Sequence, residues 1–141
     1  TMYDDSTGAV LQAGQPIPEN TIVRVEISVE STKDLSRVIL HDAIPGGFRS
    51  VYDISSLRAG AKQYYSNTEN TENVIYNNYG YDGKDYFSFY QYSIKPGNKY
   101  IFSYLAVADL EGRYDGGKST LYQDNQTNLL KTLTNGTIII E

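Results

Sequence analysis

Thr21-Ile22-Val23-Arg24-Val25-Glu26-Ile27-Ser28-Val29-Glu30 alternates apolar and polar residues along its length. Successive side chains of an extended chain point to opposite faces, so Val23, Val25, Ile27 and Val29 share one face and Arg24, Glu26, Ser28 and Glu30 the other. This period of two predicts a strand with one buried face. Ser31-Thr32-Lys33-Asp34 reads as a polar turn and Leu35 to His41 as a second strand, an antiparallel pair joined within one sheet or across two. The second strand runs into Asp42-Ala43-Ile44-Pro45-Gly46-Gly47-Phe48. Pro45 fixes φ and removes a donor, while Gly46 and Gly47 permit left-handed backbone, which predicts a turn capped by Asp42 with Phe48 returning to the core.

Outward from this pair, Tyr3 to Ala13 reads as an opening edge segment, and Pro16 and Pro18 as a loop or edge strand where missing donors cost little. Val51, Ile54 and Leu57 sit three apart and fit a helical turn or an irregular crossing. Gln63 to Asn78 is polar enough for an exposed loop, with a short strand at Val74-Ile75-Tyr76. An Asp-Gly turn falls at Asp82-Gly83. Tyr86 to Ile94 and Lys99 to Ala108 read as strands of a hairpin around Pro96-Gly97. Asp115-Gly116-Gly117 is a loop, and Thr137-Ile138-Ile139-Ile140 a β-branched last strand. About seven strands without an amphipathic helix predict an all-β, immunoglobulin-like antiparallel β-sandwich.

A chain of 141 residues fits one domain, 1–141, with a core large enough to dispense with staples. It has no cysteine, which excludes disulfides, thiolate nucleophiles, thioesters and zinc–sulfur sites within this span. A net charge of −5 with scattered Lys and Arg argues against nucleic acid. No apolar run approaches the roughly 20 residues of a membrane span. The opening Thr1-Met2-Tyr3 carries no signal-peptide pattern, and the favoured expectation is a piece of a longer exported protein.

Candidate chemistry is sparse. His41, the lone histidine, precedes Asp42, but a His-Asp dyad needs a nucleophile across the fold, and no Gly-x-Ser-x-Gly elbow supplies one. Asp82, Asp85, Asp115 and Asp124 could offer oxygens to calcium, yet they lack the carboxylate that closes a calcium loop, so plain turns are the better reading. Asn125-Gln126-Thr127 and Asn135-Gly136-Thr137 match the glycosylation pattern. Fourteen tyrosines suit strands with one wet side. Tyr76, Tyr79 and Tyr81 form a possible binding surface, whereas Tyr86, Phe87, Phe89, Tyr90 and Tyr92 should divide between the core and the wet face of one strand.

Several of these features, taken in order, resemble the C-terminal macroglobulin-type domain of the bacterial alpha-2-macroglobulin family. Gly8, Leu11 and Gly14 before Val23-Arg24-Val25 are similar to that family's entry. Asp42, Pro45, Gly47 and Phe48 match its Asp-x-x-Pro-Ala-Gly-Phe turn, with Gly46 in place of the Ala. Asp85 before Phe87 and Phe89, the Pro96-Gly97 turn, and Tyr104, Ala108, Gly112 and Tyr114 in a Tyr-x-x-x-Ala-x-x-x-Gly-x-aromatic run continue the likeness. Leu121-Tyr122 and Gly136 to Ile140 complete it. Leu105-Ala106-Val107 stands where a basic residue is usual, and the stretch from Ala59 to Gly80 is long and rich in Tyr and Asn.

The resemblance implies a macroglobulin-like sandwich in a large periplasmic or cell-envelope protein that traps proteases. Such a domain would be non-catalytic, hold no cofactor or metal, and dock against the thioester-type domain of its own chain, stabilising the uncleaved state and meeting proteases only through the parent. Two other readings are an immunoglobulin-like stalk module of an adhesin or pilus, often with an internal Lys–Asn crosslink, and a carbohydrate-binding module built on the Tyr64 to Tyr92 aromatics.

Overall fold

The computed structural model describes residues 1–51, 70–78, 80–82, 86–123 and 128–141. Its strands are β1 (Met2–Asp4), β2 (Val10–Leu11), β3 (Pro16–Ile17), β4 (Ile22–Val29), β5 (Leu35–Ala43), β6 (Phe48–Val51), β7 (Val74–Asn77), β8 (Gly80–Asp82), β9 (Tyr86–Ile94), β10 (Lys99–Ala108), β11 (Gly112–Asp115), β12 (Lys118–Gln123), β13 (Asn128–Thr134) and β14 (Thr137–Ile140). The described residues contain no helix. Three sheets result: β2-β1-β4-β10-β6 with β7 also on β10, then β13-β12-β5-β9-β8, and a small β11-β14-β3.

The alternating stretch is β4, and it pairs antiparallel with β10 from Ile22↔Val107 to Val29↔Tyr100. The other edge of β10 is shared: β7 runs parallel along Lys99 to Phe102, and β6 antiparallel along Leu105 to Ala108. A strand flanked on both edges and covered on both faces is expected to be mostly apolar, and β10 carries one small polar residue, Ser103, among its apolar and aromatic side chains. Accordingly every residue of β10 from Tyr100 to Ala108 is buried. Phe102, Tyr104 and Ala106 face the common core with Val23 and Val25 of β4 and Val38, Leu40, Phe87 and Phe89 of the facing sheet. Phe87 stacks on Tyr104 at 4.5 Å between centroids, and Phe89 meets Phe102 edge-on at 5.4 Å.

One pairing read from the sequence is corrected. β9 and β10 do not form a hairpin: β9 pairs with β5 and β8, β10 with β4, β6 and β7, and the turn around Pro96-Gly97 carries the chain between sheets. The aromatic residues of both strands pack face to face across the core, which a side-by-side hairpin would prevent. Of the two arrangements open for β4 and β5, the structure has the one across sheets. Asp42 is not a turn cap, because β5 continues to Ala43 and carries Asp42 as a buried strand residue. The strand at Val74 to Tyr76, the edge position of Pro16 beside Ile139, and the closing strand match expectation. Ile54 and Leu57 lie outside the described residues.

Candidate functional site

Several of the residues that carry the resemblance gather at two spots. At the first, strand alternation turns Asp42 inward, where it is 3% exposed. Its carboxylate accepts hydrogen bonds from the Tyr104 hydroxyl at 2.6 Å and the Ser119 hydroxyl at 2.5 Å, so one side chain of β5 ties β12 beside it to β10 in the opposite sheet. Asn135 adds a hydrogen bond of Nδ2 to the Ser119 oxygen at 3.4 Å. Burial pushes the Asp42 carboxyl up, against donors that pull it down, and burial with the neighbouring Asp42 charge keeps Tyr104 protonated. Asp42, Ser119 and Asn135 are among the polar residues lining a cleft of about 480 Å³ whose walls also include Met2, Leu11, Ile17, Val25 and Ile138.

The second spot is the turn from buried Pro45 to half-buried Phe48. The Tyr114 ring lies against it: a Cβ on Gly46 would come 2.7 Å from Tyr114 Cδ1, and one on Gly47 would land on the far edge of the same ring. Gly47 has φ +80° and its carbonyl accepts from the amides of Asp109 at 2.8 Å and Leu110 at 3.1 Å. The Tyr114 hydroxyl donates to the carbonyl oxygens of Leu110 and Glu111, both at 3.0 Å, and passes so close to Gly112 that a Cβ there would stand 2.9 Å from it. Ala108, at the end of β10, exchanges backbone hydrogen bonds with Asn20 and Thr21. Thus Gly46, Gly47, Ala108, Gly112 and Tyr114 belong to one end of the sandwich. Pro96 and Gly97 sit at the opposite end of β10, where Gly97 turns the chain at φ +84°.

Other candidates separate. His41 points away from Asp42, as neighbours in a strand must, and stacks on Tyr86 at 4.3 Å with Tyr122 edge-on at 5.6 Å. No His-Asp dyad can form. Desolvation lowers the His41 pKa below 6.5. A histidine that ionises less readily when folded holds its full contribution at neutral pH and loses it as pH falls through its unfolded value. The imidazole proton resonances should therefore show a midpoint below 6.5; a midpoint at or above it would contradict the stacked environment.

Asp115 accepts from the Gly117 amide at 2.8 Å, the turn role expected of it. Asp85 and Asp124 lie outside the described residues, as do Asn125, Tyr64 and Tyr65, and among the described residues no three His, Asp or Glu side chains gather as for a metal. The Asn135 amide nitrogen is spent inside the fold, on Gly116 and Ser119. Every described lysine (33, 95, 99, 118 and 131) is exposed, so none of these stands beside an asparagine in the core for an internal crosslink. Tyr76 is half-buried in β7 of one sheet, and Tyr81 belongs to β8 of the other, paired with Ser88. Tyr79 lies outside the described residues.

An aromatic surface is present on the outer face of β13-β12-β5-β9-β8. Registers Leu129↔Tyr122, Tyr122↔Ile39 and Ile39↔Tyr90 set four apolar or aromatic side chains in one row across four strands. Leu129 is 56% exposed, Tyr90 46%, and Tyr86 and Tyr92 flank the row at 42% and 72%. Phe87 and Phe89, on alternate positions of the same strand, are buried, which is the division expected of β9. Sequence reasoning found Tyr90 and Tyr92 but missed the row, since Leu129, Tyr122 and Ile39 become neighbours only through pairing. It also missed Ser119 and Asn135 as partners of Asp42, and the burial of Asp5.

Compared with known proteins, the chain matches a family model described as the bacterial alpha-2-macroglobulin MG10 domain over residues 2–124. Among solved structures it is similar to Escherichia coli alpha-2-macroglobulin activated by porcine elastase, with TM-score 0.74 at 13% identity, covering 99% of this chain and 12% of that one. It is also similar to Salmonella alpha-2-macroglobulin reacted with methylamine, with TM-score 0.70 at 15% identity, covering 99% and 9%. Trypsin-activated alpha-2-macroglobulin from Escherichia coli gives 0.69 at 12%, covering 99% and 10%. At such identities the structural likeness is one of fold, and the chain spans about a tenth of the length of those proteins. No curated protein matches the chain.

Proposed function

The chain belongs to the bacterial alpha-2-macroglobulin family as an MG10 domain, and from that premise we propose that it is a non-catalytic docking module of a larger exported, protease-trapping protein. It would rest against the thioester-type domain of its own chain and hold the uncleaved state, in the periplasm or cell envelope. The observation that carries this reading is the row of exposed Leu129 and Tyr90 with half-buried Tyr122 and Ile39 between them, and exposed Tyr86 and Tyr92 beside it. An exposed apolar patch on a stable sheet marks a surface that is covered in the working assembly, and tyrosines anchor such contacts through ring area and a hydroxyl that stays satisfied at the rim. The buried Asp42 tether and the Tyr114-filled turn serve a different end, keeping the face rigid. Among the described residues no helix is long and apolar enough to cross a membrane.

The test uses the full-length parent, mixed with a broad-specificity protease and run on a native gel beside assays with large and small substrates. A trap leaves small-substrate cleavage intact, blocks large substrates, and shifts in mobility once cleaved. The parent carrying Tyr90→Ser, Tyr92→Ser and Leu129→Ser should populate the shifted form before any protease is added. Plain digestion of the unaltered parent would defeat the trap reading; trapping that the triple variant leaves unchanged would defeat the assignment of the face. The same exposed tyrosines favour carbohydrate stacking as the second reading, for which binding on a glycan array, lost with Tyr90→Ser and Tyr92→Ser, is the expected result.

A further inference from the structure

The turn between β1 and β2 buries a carboxylate that no hydrogen bond satisfies. Asp4 holds that turn, its Oδ1 accepting from the Ser6 amide at 2.9 Å and hydroxyl at 2.7 Å while its backbone bonds Ala9 and Gly8. Asp5, next to it, is 0% exposed, and neither of its side-chain oxygens has a hydrogen-bond donor. Among the described residues its ion-pair partner is Arg24 of β4, whose Nε stands 3.9 Å from Asp5 Oδ1 but 3.3 Å from Glu26, and whose guanidinium lies 4.7 Å over the Tyr3 ring. Arg24 is thus drawn toward Glu26 and Tyr3 and leaves Asp5 weakly compensated. The charged groups acting on Asp5 are Arg24, which favours its charge, and Asp4 and Glu26, which oppose it.

The segment this acid sits in is a short edge pairing, extended by the Thr1 amine and carbonyl bonding the Glu26 backbone and seated by half-buried Met2 and Leu11. β1 pairs with β4 over three residues and with β2 over two, and the Asp5 amide reaches the Ile22 carbonyl at 2.9 Å. Short edge pairings of this kind open locally without global unfolding. An open turn would return the Asp5 carboxylate to water.

We propose that the β1–β2 hairpin is a pH-responsive latch, closed on β4 while Asp5 is protonated and loosened when Asp5 ionises. Burial outweighs the attraction of Arg24 and raises the closed-state pKa from 3.8 to about 6. The closed form therefore binds more protons than the open form between those values, so closure is full below the lower one, weakens through the window, and is weakest above the upper. A difference of this size corresponds to a change in the opening equilibrium on the order of 100-fold. The latch acts on a strand that borders the same β4–β10 pair as the core, so loosening it frees an edge without dissolving the sandwich.

Hydrogen exchange of the 141-residue chain at pH 4 and pH 7.5, corrected for intrinsic rates, reads this directly. Protection of the Asp5 amide and the other amides of the hairpin should fall by one to two orders of magnitude at the higher pH, while the β4–β10 amides keep theirs. In Asp5→Asn the hairpin should hold its protection at both pH values. The Asp5 carboxyl carbon, followed by NMR in the unaltered chain, should titrate near 6 and needs no variant to do so. A midpoint near 4, or hairpin protection that responds to pH equally with and without Asp5→Asn, would overturn the proposal.

Discussion

Asp42→Ala is expected to cost about 3–5 kcal/mol, read as a fall in the urea midpoint at constant m-value and about 10 °C or more in Tm. The Tyr104 and Ser119 hydroxyls both give their hydrogens to this carboxylate, and Tyr104 is 1% and Ser119 6% exposed. Truncation leaves two buried donors with no acceptor, each costing about 1–3 kcal/mol, and a void between the sheets. Asp42→Asn is the informative contrast. Its carboxamide oxygen still accepts one hydroxyl, its nitrogen can donate to the other oxygen, and it removes a charge whose burial raises the Asp42 pKa. It should cost no more than about 1–2 kcal/mol at pH 7. Two variants of equal effect would mean that both carboxylate oxygens are needed as acceptors and that keeping the shape of the side chain restores nothing.

The sequence made Asp42 visible for a reason other than the one that explains it. Its place three residues before Pro45 suggested a turn cap, and capping is a local habit of Asp that needs no tertiary knowledge. Burial and two donors from strands 62 and 77 residues away decide its role instead. Legibility followed the range of the forces involved. Alternation in β4 and β9, the turn at Gly97 and the division of Phe87 and Phe89 from Tyr90 and Tyr92 are local, and all were readable. The face formed by Leu129, Tyr122, Ile39 and Tyr90 depends on which strands pair, as does the assignment of β9 and β10 to separate sheets. Asp5 carried no signal at all, since an acid in a polar turn looks solvated until the fold closes over it.

Gly47→Ala should destabilise by about 3–4 kcal/mol, the sum of a backbone and a packing effect. At φ +80° a residue with a Cβ pays roughly 1–2 kcal/mol. The added carbon would also strike the Tyr114 ring and come 2.9 Å from the Leu110 carbonyl oxygen. The turn cannot move aside cheaply, since the Gly47 carbonyl is held by the Asp109 and Leu110 amides, each worth about 1 kcal/mol. Gly46→Ala separates the two effects. Its φ is not left-handed, and the three atoms nearest its Cβ all belong to the Tyr114 ring, Cδ1 at 2.7 Å first. In a double-mutant cycle, Tyr114→Ala should therefore absorb nearly all of the Gly46→Ala cost but leave the backbone part of Gly47→Ala in place, with coupling of about 1 kcal/mol or more in each pair. Additive losses at Gly46 would show that the ring is not pressed against the turn. The resemblance places Ala where this chain has Gly46, so the cycle also asks whether Gly46 and the seat of Tyr114 changed together: a ring this close leaves room for hydrogen and not for a methyl group.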